Sequence, residues 1–286
     1  MPNRTVEAVA NMHCDTGENP YWNPQDGCIW WVDIPLGRVF CHDESTGQTK
    51  TVYEGEPVGG FTLQEDGNWL IFRVNDVAVM TPAGEVKPVI EFQDEGAKRF
   101  NDVFADATGQ VFAGTIGASR ESGGLYRVGR DGSIVKLFAG TGCANGMAFT
   151  PDGRTMLWTD STNKRIDAFA YDPATGELTE RRTWYTATPD EGTPDGCAMD
   201  ETGHLWSTRW GGGCIMRHGP DGKVVEKIEM PVSRVSSCYF GGPDRRMLYI
   251  TTAGGKGHDT GTPDGTLYRM PVDVAGRPEF RSRVLL

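Results

Sequence analysis

Apolar and polar residues alternate in short runs along this chain, and the runs recur in a fixed order. An apolar or aromatic strand leads into a turn ending in Gly or Asp, and a second strand rich in aromatic and β-branched residues follows. The turn-and-strand unit occurs six times, as DGCIWWVD (26–33), DGNWLIFR (66–73), TGQVFAGT (108–115), DGRTMLWTD (152–160), TGHLWSTR (202–209) and DRRMLYITT (244–252). With Gly27, Gly67, Gly109, Gly153, Gly203 and Arg245 as markers, the intervals are 40, 42, 44, 50 and 42 residues, the length of a propeller blade.

A third strand follows each unit, in segments such as GRVFCHD, GGLYRVGRDG and GTLYRMPVD, and a fourth follows most of them, as in TKTVYEGE and VVEKIEMP. Four strands repeated six times predict an all-β fold, a six-bladed β-propeller of four-stranded antiparallel blades around a central channel. The last unit is one strand short before FRSRVLL, so an N-terminal strand around Thr5 to Ala10 is expected to complete it. Residues 1–286 then form a single domain without a linker. A double-sheet sandwich also takes six hairpins, but it does not require a four-strand unit at a regular period.

Composition narrows the function. With 39 acidic against 28 basic residues the formal charge is −11, which disfavours nucleic acid or an anionic membrane as partner and suits a cation or a neutral small molecule. The N-terminus lacks the apolar core of a signal peptide, and no run approaches the roughly 20 apolar residues that span a bilayer; the chain reads as soluble and cytoplasmic. Its seven cysteines contain no CxxC pair, so reduced thiols are expected rather than a cysteine zinc site. His13, His42, His204, His218 and His258 lack a paired ligand spacing and are expected on surfaces or turns, His258 within a Gly-rich rim loop, GGKGHDTGTPDG. No GxSxG segment is present, which argues against a serine nucleophile.

The repeat also predicts where chemistry is concentrated. Innermost propeller strands run in one direction along the channel, so equivalent positions at their starts converge on one mouth. Eight residues before the turn markers stand Gly59, Asn101, Asn145 and Asp195; Glu18 lies nine before Gly27, and the sixth blade offers Ser236 or Ser237. Gly59 shows that the repeat accepts a residue without a side chain there. Glu18, Asn101, Asn145 and Asp195 instead bring oxygen atoms, which out of water must be paired or coordinate a cation. An all-oxygen set selects a hard ion such as Ca²⁺, Mg²⁺ or Mn²⁺ and also accepts Zn²⁺.

GENPYWN around Glu18, KRFNDV around Asn101, CANGMAFTPDG around Asn145 and TPDGCAMDETGHLW around Asp195 resemble the senescence-marker-protein/gluconolactonase/luciferin-regenerating family, which includes regucalcin. The resemblance runs over essentially the whole chain. It implies a propeller that hydrolyses sugar-acid lactones with one divalent metal, with Glu18, Asn145 and Asp195 as ligands, Arg99 and Asn101 as substrate-binding residues, and Glu121 of the loop GASRESGG as a further substrate contact. Asp195 is the expected general base as well as a ligand. The family's usual glycine after the glutamate is Asn19 here, which leaves two roles open for this amide: a hydrogen bond to substrate or an adjustment of the turn. A calcium-dependent phosphotriesterase-like hydrolase and a non-catalytic, regucalcin-like metal-binding regulator are the alternative readings.

Overall fold

The computed structural model describes residues 4–286. After β1 (Glu7–Asn11) the chain lays down the first blade as β2 (Gly17–Asn23), β3 (Cys28–Asp33), β4 (Arg38–Asp43) and β5 (Gln48–Glu54). The second is β6 (Gly60–Leu63), β7 (Trp69–Phe72), β8 (Asp76–Met80) and β9 (Val86–Glu91), and the third is β10 (Ala97–Ala105), β11 (Val111–Gly117), β12 (Gly123–Val128) and β13 (Ile134–Thr141). The fourth is β14 (Ala144–Phe149), β15 (Thr155–Asp160), β16 (Arg165–Asp172) and β17 (Glu177–Thr186), and the fifth β18 (Thr193–Met199), β19 (Leu205–Trp210), β20 (Cys214–His218) and β21 (Val224–Glu229). The sixth uses β22 (Val235–Gly241), β23 (Met247–Thr252) and β24 (Thr266–Pro271), with β1 as its outermost strand. Each sheet has four antiparallel strands, and the fold is the six-bladed β-propeller that the repeat predicts. Ala8 stands opposite Tyr268 and Asn11 opposite Thr266, so the N-terminal strand completes the last blade as expected. Among the described residues no helix is long and apolar enough to cross a membrane.

By its internal contacts the chain forms two compact units, one of Met1–Gly55 with Ala187–Pro278, the other of Glu56–Thr186 with Glu279–Leu286. The first holds blades one, five and six; the second holds blades two, three and four. In both, burial is graded along each blade. All residues of β2 and β3 are buried, whereas β5 is largely exposed. Inner strands are covered on both faces, which is why they read as near-continuous apolar and aromatic runs, while outer strands meet water. Fully buried Trp30, Trp31, Trp69, Trp158 and Trp206 come from the repeated second strand, and burying each such side chain contributes on the order of 2–3 kcal/mol.

The six turn markers share one backbone conformation. Gly27, Gly67, Gly109, Gly153 and Gly203 all have φ between 65° and 87°, and Arg245, which replaces glycine in the sixth blade, is held at φ 55°. The Arg245 side chain anchors this strained position: Nε donates to the Gly276 carbonyl at 2.8 Å, and the guanidinium pairs with Glu201 at 2.7 Å. Two turns are capped alike from within. Asp106 accepts from the backbone and hydroxyl of Thr108 and from the Gln110 amide; Asp200 does the same with Thr202 and the His204 amide. Burial alone would raise the Asp200 carboxyl, but these bonds, with those from the Trp206 indole and Arg217, hold it below the usual carboxylate range.

Gly59 shows what sets the spacing of innermost strands in the second unit. A Cβ there would lie 2.0 Å from the Phe100 carbonyl oxygen and 2.4 Å from its carbon, both backbone atoms of β10 that cannot swing aside. Gly59→Ala is therefore expected to lose about 3 kcal/mol of unfolding free energy. Gly47→Ala, at φ 69° with open space around it, is expected to lose only about 1 kcal/mol from backbone strain. Urea denaturation of the two variants measures the difference.

Candidate functional site

The residues expected at the channel mouth sit at a shared irregularity. On β2, Asn19 and Pro20 together face Trp31, between the pairs Glu18–Val32 and Tyr21–Trp30. On β10, Asn101 and Asp102 face Gly114; on β14, Gly146 is the extra residue after Asn145; on β18, Asp195 and Gly196 face Thr208; on β22, Ser236 is extra. Only β6, which brings Gly60 opposite Phe72 without a shift, lacks this bulge among the described innermost strands. A bulge inserts one residue, bends the strand and re-aims its side chains. The five bulged strands are the ones with Glu18, Asn101, Asn145, Asp195 and Ser236 at that level, and the unbulged one follows Gly59.

In the second unit the site residues form a continuous hydrogen-bonded chain. An Arg99 guanidinium nitrogen donates to Asn101 Oδ1 at 2.8 Å and to the Phe100 carbonyl at 2.8 Å. Asn101 Nδ2 donates to Asn145 Oδ1 at 2.8 Å and to the Ala144 carbonyl at 2.7 Å. Asn145 Nδ2 in turn donates to Ser161 Oγ at 2.8 Å and approaches Cys143 Sγ at 3.3 Å. Both amides are buried, and each has its two N–H groups engaged, which fixes which end of each carboxamide is oxygen. Each oxygen has accepted one hydrogen bond and keeps a second lone pair. Arg99 is thus half-buried and folded onto Asn101 rather than a free surface cation. Glu121 is exposed in the β11–β12 connection, where its backbone carbonyl accepts from Gly140; its carboxylate stands at the rim, outside this buried chain.

In the first unit, Glu18 and Asp195 are 4% and 5% exposed, far below the usual exposure of carboxylates. Glu18 Oε2 accepts from the backbone N–H of Asn19 at 3.1 Å. Hydroxyls lace the strands that carry them. Ser236 Oγ donates to the Gly17 carbonyl at 2.5 Å, next to Glu18, and Thr208 Oγ1 lies 2.7 Å from the Ser236 carbonyl and 2.9 Å from that of Gly196, next to Asp195. Gly196 leaves no room for a side chain, since a Cβ would lie 2.1 Å from Ser237 Oγ.

Some relevant residues escaped the sequence reading. Asp102, at φ 50° and 8% exposed, follows Asn101 in the bulge. Burial pushes its carboxyl up to about 7, with the Arg99 charge pulling back. Burial, and then the charge of Asp102, push Glu279 up to about 8. The signal for Asp102 was its place one residue after a repeat-marked site, the same place as Asn19. Glu279 lies in the tail after the last repeat and has no such signal. Two of the histidines expected at the surface are buried: His42 beside Thr49, and His218, whose Nε2 lies 2.8 Å from the Arg209 guanidinium. Burial lowers His218 to about 4, so it is a neutral hydrogen-bond partner, and its single-residue spacing could not reveal this. His258 does lie in the rim loop, 3.7 Å from Asp15.

A family model described as the SMP-30/gluconolactonase/LRE-like region matches residues 16–254. The chain is 37% identical to the pentonolactonase XacC of Haloferax volcanii over 290 residues, covering 99% of both sequences. It is 32% identical to regucalcin of Xenopus laevis, covering 87% of this chain and 86% of that one. Among solved structures, a calcium-binding protein, regucalcin from Agrobacterium tumefaciens, is similar with TM-score 0.92 and 26% identity over 98% of each chain. A luciferin-regenerating enzyme shares the fold with TM-score 0.91 at 23% identity, over 99% of this chain and 100% of that one.

The Asp102 and Glu279 carboxyls give a pH dependence with a definite sign. Both bind protons more tightly folded than unfolded, where the values are near 3.8 and 4.5, so the folded state carries more protons between pH about 4 and about 8. Stability therefore falls as pH rises through that window. Glu279→Gln removes one of the two groups. Urea midpoints at pH 5 and pH 8 are expected to show a decline smaller than in the parent chain by about 1 kcal/mol or more.

Proposed function

The chain belongs to the SMP-30/gluconolactonase/LRE-like family, and from that premise we propose that it is a metal-dependent lactonase that opens sugar-acid lactones. The observation that carries this reading is the 37% identity to a pentonolactonase along 99% of the chain. The buried amide chain from Arg99 through Asn101 to Asn145, with buried Glu18 and Asp195 at the equivalent level of their strands, supports it.

Among the described residues no three His, Cys, Asp or Glu side chains cluster for a metal ion. The ligand set proposed here has two carboxylates, Glu18 and Asp195, and takes its third oxygen from an amide, Asn145. Asn145 Oδ1 fits this role because it keeps a lone pair after accepting from Asn101, and its N–H groups are engaged elsewhere, so it presents oxygen and not nitrogen. Two carboxylates balance one divalent charge, and the donor set suits Ca²⁺, Mg²⁺ or Mn²⁺ and accepts Zn²⁺. When bound, such a cation supplies Lewis acidity toward the lactone carbonyl.

The residues do the rest. Arg99 and Asn101 bind substrate hydroxyls, their mutual hydrogen bond holding both in register, with Glu121 as a contact from the rim. Asp195 takes a proton from the attacking water as its oxygen bonds to the carbonyl carbon. The ring C–O bond then breaks, the proton passes from Asp195 to the departing ring oxygen, and an open-chain hydroxy acid results. A second reading, calcium binding without turnover, is favoured by the similarity to a calcium-binding regucalcin.

Turnover separates the two. Protein stripped with chelator and reloaded with each of the four cations is expected to open aldonolactones, followed by proton release, well above buffer. Asp195→Asn is expected to lower kcat by about 10³-fold and to weaken metal retention. Metal binding with no acceleration of any lactone would favour the regulatory reading and reject the lactonase.

A further inference from the structure

We infer that Asn19 is a specificity-determining residue, whose carboxamide reads the hydroxyl on the carbon beside the lactone carbonyl. The inference rests on the lactonase reading above and extends it to a feature of the substrate.

The starting observation is internal to the chain. Five innermost strands carry a bulge at one level, and in two of them a residue in the bulge is left-handed: Asn19 at φ 49° and Asp102 at φ 50°. Glycine adopts that conformation without strain, and the chain uses glycine at all but one of its six turn markers. At these two bulges it uses Asn and Asp instead, and both are buried, at 7% and 8% exposure. Asn and Asp are the side chains that tolerate left-handed backbone best, so the two positions are occupied by the polar residues least damaging to the bulge. A buried polar group retained where glycine is easier points to use of the group, and strain of this kind gathers at functional sites.

Asp102 has a charged neighbour that accounts for it, Arg99. Asn19 carries no charge, and its backbone N–H already positions Glu18, donating to Oε2 at 3.1 Å. A glycine would keep that bond, so it does not explain the side chain. The amide stands one residue from a proposed ligand, and the substrate atom directed to the ligands is the carbonyl oxygen. The carbon next to that carbonyl is then the nearest part of the substrate to Asn19. A carboxamide both donates and accepts, and so matches a hydroxyl, which does the same; a methylene matches neither. Sites built to hydrogen-bond a hydroxyl reject analogues that lack it far more strongly than apolar pockets reject a missing methylene.

The test compares kcat/KM for a pentonolactone with that for its 2-deoxy counterpart, in the parent chain and in Asn19→Gly. Glycine keeps the left-handed backbone and the N–H to Glu18, so the variant is expected to melt no lower than the parent and to retain metal equally in chelator competition. The parent is expected to favour the hydroxylated lactone by about 100-fold or more, and Asn19→Gly to reduce that ratio at least tenfold. A purely structural amide would change both lactones alike, and an unchanged ratio overturns the inference while leaving the lactonase reading intact. A parent chain that opens neither lactone rejects the lactonase reading and this inference together.

Discussion

The close approach of innermost strands is the constraint on which the rest of this structure depends. In the second unit, β6 meets β10 where Gly59 lies against the Phe100 carbonyl, and β10 meets β14 where a Cβ on Gly114 would fall 2.5 Å from the Asn101 carbonyl and 2.7 Å from Ala144. In the first unit, Gly196 lies against Ser237, and Gly241 against Trp22. Backbones packed this tightly leave their polar groups only a few possible partners. Side chains with short polar ends supply them: Asn101 reaches the Ala144 carbonyl, Ser236 that of Gly17, and Thr208 those of Gly196 and Ser236. The bulges follow from the same crowding, since an extra residue lets a strand start turn its side chain without parting from its neighbour.

Buried carboxylates in this chain fall into two groups, and the difference separates architecture from chemistry. Asp33, Asp106, Asp160 and Asp200 are fully enclosed and saturated. Asp33 takes two backbone N–H groups and Arg38, Asp160 takes Thr141 and Asn163 with Arg165 nearby, and Asp200 takes amides, an indole and Arg217. Such groups hold turns and blade edges together and have no capacity left for a ligand. Glu18, Asp102 and Asp195 lie instead at the bulges of innermost strands. There burial raises Asp102 despite Arg99 beside it, as expected where desolvation outweighs one partner charge.

The amide pair shows how a scaffold sets the identity of a donor atom. Asn145 presents oxygen because Ser161 and Cys143 take its N–H groups, and Asn101 presents oxygen to Arg99 because its N–H groups go to Asn145 and the Ala144 carbonyl. Substituting Ser161 or Asn101 would therefore affect Asn145 without touching it, a coupling that no inspection of Asn145 alone suggests.

Six turn markers at near-constant spacing were enough to give the number of blades, the four-strand unit, the completing N-terminal strand and the level at which site residues stand. These are local and periodic properties: a left-handed turn residue and an apolar second strand recur because every blade solves the same packing problem. The family resemblance was legible for the same reason, in segments that span a strand start and the turn after it. Tertiary structure decided what periodicity cannot carry. It showed that β6 lacks the bulge, that Arg99 folds onto Asn101, that Glu279 of the tail interacts with Asp102, that Glu121 stays at the rim, and that His42 and His218 are buried. Each depends on contacts between residues distant in sequence or on one strand's departure from the repeat, where the free energy of burial and hydrogen bonding is settled by neighbours the local pattern does not name.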